Sequence, residues 1–239
     1  MDEKRKIGIR RVDSGFRDYN EIKEIVTKLK SLRDSMLRCN ALGVDPERNE
    51  AYGNLSFRLN NKEFLCSATG SSRLKDVGNE HYTIIRDFEK GELVYSNIVG
   101  DRKPSVESST HDGIYRGNSK INCIAHGHLH SIYFYGLGSD KAIVLDDVEY
   151  GSIELRELVR NRVRDGSSSV LNINISECRN LNRNLGKYGL IVPKNHFGGF
   201  FIVGEDIEEV KEGFFATAQY SAANLLKKIN HELSLPQFI

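Results

Sequence analysis

His126-Gly127-His128 places two histidines at i and i+2. On a β-strand, residues two apart point to the same face of the sheet, so both imidazoles converge on one point. A third histidine from a distant segment, with His196 the candidate, would complete a three-nitrogen zinc site and leave a fourth position open to water or substrate. Glu107 lies upstream, and a carboxylate beside such a site can move protons. That combination reads as an enzyme.

Each residue also has a plainer reading. A His-x-His pair can simply line a wet sheet face with alternating polar groups. His130 continues the series and faces the same way only if the strand runs past His128. His196, in Asn195-His196-Phe197-Gly198-Gly199, is either a loop residue before a glycine turn or the third ligand. Glu107 is favoured near a helix N-terminus by the helix dipole, whatever its chemistry. Ala68-Thr69-Gly70-Ser71-Ser72 offers hydroxyls and backbone N–H groups of the kind that hold phosphate, or forms an ordinary turn. Asn54, after Gly53, either donates its amide to the same anion or closes a turn.

These residues need a folded α/β frame. The 239 residues suffice for one domain with an extension: residues 1–18 as an N-terminal extension, loose or docked on an edge, and 19–239 as a single domain. Hydrophobic residues make up 39% and charged residues 28%, with a net charge of +1 and no block of like charge, so neither nucleic acid nor a membrane is the expected partner. No run approaches the roughly 18 apolar residues that span a bilayer. The chain does not open on a signal-peptide pattern. Cys39, Cys66, Cys123 and Cys178 lack CxxC or disulfide-like spacing, which fits a reducing compartment, and a cytoplasmic location is expected.

Ile22, Ile25, Val26, Leu29, Leu32, Met36 and Leu37 recur at helical spacing and predict an amphipathic helix over 18–40, ended by Gly43. A hairpin is expected over 54–66, turning at Asn60-Asn61, and strands over 82–86 and 92–95 joined through Lys90-Gly91. Ser105 caps a helix that carries Glu107, His111 and Tyr115 on one face, with His111 expected as a buried hydrogen-bonding residue. Strands follow at 121–126 and 142–145, and Ser152 caps a further helix. Strands at 170–175, 188–192 and 200–203 precede a closing helix over 208–226. The order suits one α/β domain with a mostly antiparallel sheet.

Several segments together resemble the class II aldolase/adducin family. They are Gly53-Asn54-Leu55-Ser56, Ala68-Thr69-Gly70, Lys103-Pro104-Ser105-Val106-Glu107 with His111 and Tyr115, Ala125-His126-Gly127-His128, Tyr150-Gly151-Ser152-Ile153-Glu154-Leu155, and Asn195-His196. They run in family order over about residues 20–230. The resemblance implies a three-layer α/β/α sandwich around a mostly antiparallel sheet, and a homo-oligomer, usually a tetramer, with sites near subunit interfaces. It implies Zn2+, or another divalent metal, on His126, His128 and His196, with Glu107 as proton carrier and possible fourth ligand. Asn54, Thr69, Gly70 and Ser105 would hold a substrate phosphate.

The implied reaction is that of a zinc-dependent aldolase, a lyase that makes or cleaves a carbon–carbon bond in a small ketose phosphate through a metal-stabilised enediolate. A sugar-phosphate dehydratase, an epimerase or a decarboxylase would use the same scaffold. The family's epimerases tend to carry aspartate at the Glu107 position. A non-catalytic adducin-like interaction module would not need the retained histidines and glutamate. One departure concerns the substrate: the family's phosphate motif commonly has two serines before the glutamate, and here the second is Val106. Ser71 and Ser72 are the available substitutes. A tyrosine often serves as a second acid, with Tyr133, Tyr135 and Tyr220 as candidates.

Overall fold

The computed structural model describes residues 7–12, 19–165 and 188–234. Among these residues, nine strands form one sheet. They are β1 (Gly8–Arg11), β4 (Asn54–Arg58), β5 (Phe64–Ser67), β6 (Tyr82–Glu89), β7 (Glu92–Asn97), β8 (Cys123–His128), β9 (Ala142–Leu145), β10 (Tyr188–Pro193) and β11 (Gly199–Gly204). Their order across the sheet is β1-β7-β6-β5-β4-β8-β11-β10-β9. Only the outermost pairs, β1 with β7 and β9 with β10, are parallel. A separate small ladder joins β2 (Gly43–Asp45) to β3 (Glu50–Tyr52).

Among the described residues, five helices cover the two faces. On one side α1 (Tyr19–Arg38), α3 (His130–Leu137) and α5 (Ile207–Ser234) bury Leu29, Ile132 and Phe214 against Leu55, Ala125 and Phe200 of the sheet. On the other, α2 (Ser108–Gly117) and α4 (Ile153–Asp165) bury Ile114, Leu155 and Val159 against Phe64, Ile124 and Phe201. The result is a three-layer α/β/α sandwich around a mostly antiparallel sheet. Alternation along β8 drives it: Cys123 and Ala125 feed one core, Ile124 the other. No helix among the described residues is long and apolar enough to cross a membrane.

Two glycines permit the close layering that the site depends on. A Cβ on Gly127 would come within 2.8 Å of Met36 Cε and 2.7 Å of the Ala41 carbonyl, so the residue between the two histidines must be bare for α1 to seat. Gly113 of α2 lies against the Arg156 backbone carbonyl of α4, and Asp112 forms a buried ion pair with Arg156 at the same crossing.

Several expected elements form with adjusted ends. The hairpin β4–β5, the β6–β7 hairpin with Lys90 (φ 49°) and Gly91 (φ 86°) in its turn, and the Ser152 cap on the Leu155 N–H (3.1 Å) are all present. Helix α1 ends earlier than the apolar pattern suggests. Asn40, at φ 55°, takes the left-handed turn expected of Gly43, which instead begins β2. Helix α3 was not visible in the pattern because His130-Ser131-Ile132-Tyr133-Phe134-Tyr135-Gly136-Leu137 has no amphipathic period. Gly8–Arg11, within the stretch 1–18, pairs with β7 as the ninth strand. The strand expected over 170–175, and Cys178, lie outside the described residues. Cys39, Cys66 and Cys123 are free thiols.

Candidate metal centre

His126 and His128 leave β8 on the face that α2 covers, and the strand stops there. His130 starts α3 and is exposed, so it does not continue the series. β11 pairs with β8 in register, Gly199 opposite His128 and Phe201 opposite His126. The turn that feeds β11 therefore delivers His196 beside the pair. One nitrogen from each of His126, His128 and His196 lies within 4.8 Å of the others.

Gly198 and Gly199 make that turn possible. Gly198 sits at φ 78°, and a Cβ on Gly199 would fall 2.9 Å from His196 Cγ.

Glu107 reaches the same point from the N-cap of α2. Its Oε1 is 2.7 Å from His126 Nε2 and 3.6 Å from His196 Nε2. Asn54, the ladder partner of His126, donates its amide to Glu107 Oε2. The Ser105 hydroxyl accepts the Glu107 N–H and an Asn54 amide hydrogen, each at 3.3 Å. Ser105 therefore supports the turn that leads into α2, while Glu107 itself occupies the N-cap position.

The electrostatics call for a cation. The buried His126 donates its Nδ1–H to the Phe200 carbonyl (2.9 Å), which in the neutral ring turns the Nε2 lone pair toward Glu107 and His196. His126 Nε2 and His196 Nε2 are 3.3 Å apart, and two nitrogens bound to one tetrahedral zinc would be separated by about 3.3 Å. Glu107 Oε1 and His128 Nε2 are buried without a hydrogen bond among the described residues. Buried acceptors this close repel one another unless a proton or a metal ion lies between them. The donor set fits a divalent ion that favours imidazole and carboxylate.

Protonation agrees with this geometry. Burial pushes the Glu107 carboxyl up, but His126 and His196 outweigh it and hold the group below the usual carboxylate range. Burial, reinforced by His126 and His196, lowers His128 to about 2. Burial also lowers His196. The site thus sets an ionised carboxylate beside the neutral imidazoles of His128 and His196 at neutral pH.

Thr69 and Gly70 lie next to the segment that carries Ser105. Ala68 bridges to Pro104, and the Thr69 N–H donates to the Lys103 carbonyl (2.9 Å). Thr69 is exposed, and Gly70 is left-handed at φ 75° before the short turn Ser71–Arg73. The Ser71 hydroxyl contacts the backbone carbonyls of Ala68 and His81, so it does not replace the hydroxyl absent at Val106. Val106 itself is 45% exposed.

His111 and Tyr115, one and two turns beyond Glu107, both meet the Ser56 hydroxyl at 2.7 Å. Of the tyrosines expected as a second acid, Tyr133 donates to the Lys194 carbonyl (2.7 Å), while Tyr135 and Tyr220 pack edge to face between α3 and α5. Two other tyrosines, not singled out by spacing, adjoin the centre. Tyr150 lies flat on His196 (4.1 Å, 12°), and the Tyr52 ring is 5.1 Å from His128. Tyr150 opens one of the segments already noted, whereas nothing in the local pattern marks Tyr52.

Comparison with known proteins follows the same lines. A family model described as the class II aldolase and adducin N-terminal domain matches residues 47–223. Over 85 residues the chain is 36% identical to a 3-oxo-tetronate 4-phosphate decarboxylase of Haemophilus influenzae, a stretch that covers 36% of each protein. Among solved structures, a sugar-phosphate aldolase from Thermotoga maritima superposes with a TM-score of 0.60 at 14% identity, covering 88% of this chain and 97% of that one. An L-fuculose 1-phosphate aldolase superposes with a TM-score of 0.54 at 15% identity, covering 85% and 87%. At these identities the likeness is one of fold.

Proposed function

The chain belongs to the class II aldolase and adducin N-terminal domain family, and on that premise we propose that it is a divalent-metal-dependent lyase that cleaves or forms a carbon–carbon bond in a small sugar phosphate. The observation that carries this reading is the convergence of His126, His128 and His196 on one point with the Glu107 carboxylate beside them. These residues would hold the metal, with zinc the favoured ion. When bound, it supplies Lewis acidity at a substrate oxygen and stabilises negative charge that develops as the bond breaks.

Glu107 is the proton carrier in this proposal. It is ionised, so it can accept a proton, and it is held at Oε2 by Asn54, so Oε1 alone faces the reacting region. Thr69, Gly70 and Ser105 would receive the substrate phosphate, while Asn54, whose amide already donates to Glu107 and Ser105, would hold the carboxylate beside them. The contact between the 68–70 and 103–105 segments supports that assignment by putting Thr69 and Ser105 on neighbouring backbone.

Aldol cleavage of a ketose phosphate is the leading form of the reaction. A second form, decarboxylation of a 3-oxo acid phosphate, is favoured by the partial match to the Haemophilus influenzae decarboxylase. Both leave an electron pair on the carbon next to a carbonyl and require it to be protonated. The test is a screen of ketose 1-phosphates and 3-oxo acid phosphates with the zinc-loaded protein. Two carbonyl products identify an aldolase, CO2 release identifies a decarboxylase, and neither activity together with no tightly bound metal would return the chain to an interaction module.

We further propose a homo-oligomer, a tetramer by family pattern, built on a single domain over 19–239. The exposed Phe134 and Leu137 of α3 and Leu225, Leu226 and Ile229 of α5 support an apolar contact surface. Sedimentation velocity would read the assembly directly.

A further inference from the structure

His126 and His196 are oriented by different means. His126 has a hydrogen bond from its outer nitrogen to the Phe200 carbonyl. Among the described residues His196 has no such bond from its outer nitrogen; beyond the Nε2 contacts with His126 and Glu107, it meets its neighbours through ring faces and edges. His128 meets it edge-on (4.4 Å, 86°), Gly199 leaves room beside its Cδ2, and the Tyr150 ring covers its face at 4.1 Å with only 12° between planes. Stacking of this kind fixes a plane, which is what a ligating imidazole without a hydrogen-bonded partner lacks.

Tyr150 is itself firmly placed. Ser152, two residues on, caps α4. Gly151 is left-handed at φ 68°, and Val106 packs against it so closely that a Cβ there would lie 3.3 Å from Val106 Cγ2. The loop is stitched to the His196 turn at two further points: the Lys194 N–H donates to the Leu145 carbonyl (3.1 Å) and the Asn195 amide to the Val148 carbonyl (3.3 Å).

We propose that Tyr150 is a positioning residue of the metal centre: its ring, lying flat on His196, sets the plane of that imidazole in place of the hydrogen bond that orients His126. Val106 then has a role of its own, as the apolar support of the Tyr150 loop. The proposal rests on the reading of His126, His128 and His196 as ligands.

The experiment is competition for Zn2+ between the purified protein and a chromophoric chelator, paired with the visible absorption of the Co2+-substituted protein. Tyr150→Phe keeps the ring and should bind within about twofold of wild type with the same Co2+ spectrum. Tyr150→Leu should bind about tenfold more weakly and change the Co2+ spectrum, as loss of an orienting partner does at other metal sites. Should the leucine variant not fold, Tyr150→Met carries the same expectation. A non-aromatic variant with wild-type affinity and an unchanged spectrum overturns the proposal, whereas failure of wild type to bind either metal overturns the ligand reading beneath it.

Discussion

Asn54 and His126 are direct partners across the β4–β8 ladder. One register therefore fixes both the amide that grips Glu107 and the imidazole that Glu107 touches. A slip of β4 by one residue would turn the Asn54 side chain to the opposite face, away from Glu107 and His126. Asn54→Ala should lower kcat by about 10- to 100-fold, since a hydrogen bond to a charged group is worth about 1.5–3 kcal/mol, while metal content stays at the wild-type level. Steady-state kinetics with metal analysis checks this. A rise in KM at unchanged kcat would mean that the amide serves the substrate rather than Glu107.

Glu107→Gln keeps the shape of the side chain and the three histidines but cannot carry the proton. It should retain zinc and lose turnover by about 100- to 10,000-fold, the usual contribution of a positioned acid or base. His126→Ala should lose the metal itself. Full activity in the glutamine variant would remove Glu107 from its assigned role.

Stability should fall in acid partly through His111. Burial, with His126 adding to it, lowers this imidazole to about 3, against 6.5 for an ordinary histidine. Below 6.5 the unfolded chain takes up a proton that the folded chain refuses. The contribution is fully present above that pH and is lost as pH falls toward about 3, at about 1.4 kcal/mol per pH unit. Urea melts of the metal-free protein at pH 7 and pH 5 should show a smaller acid penalty in His111→Gln than in wild type. Equal penalties would place the sensitivity elsewhere.

Gly113→Ala opposes two effects. Alanine in place of glycine gains up to about 1 kcal/mol of helix propensity. Here, however, the added methyl would collide with the Arg156 carbonyl and stand 2.8 Å from Val159 Cγ1. Overpacking costs about 1–3 kcal/mol, and a backbone carbonyl yields little, so the net change is destabilising. Thermal melting should show a fall of several degrees, roughly 2–4 °C per kcal/mol for a chain of this size. Because α2 carries Glu107, activity should fall with it.

Removing the ion should lower the melting temperature as well. A metal held at 100 times its Kd adds about 2.7 kcal/mol to stability, and a chelator abolishes that term. A chelator shift that persists in His126→Ala would not arise from this centre.

The sequence made the pairwise chemistry legible and hid the packing around it. Two histidines at i and i+2 aim one way on any strand, and Glu107, His111 and Tyr115 share a face on any helix, so both statements needed only local geometry. The partners of those side chains depend on which strands lie together. Asn54 holds Glu107 because β4 pairs with β8, and no local pattern states that pairing. Tyr52, at the end of β3, and Tyr150, in the loop before α4, reach the histidines along a course set by tertiary contact. The helix starting at His130 escapes the pattern for a related reason: its apolar residues fall on its exposed side as well as its buried one, so no amphipathic period marks it.

β8 is central in the sheet, paired on one side with β4 and on the other with β11, each about seventy residues away along the chain. The imidazoles of β8 meet His196 only after the second of these ladders closes, and meet the Asn54 amide only after the first. Closing such long loops is entropically costly and slow. The centre is therefore a late product of folding: an ion added to the unfolded chain finds scattered histidines rather than a template, and metal capture should lag behind the recovery of secondary structure.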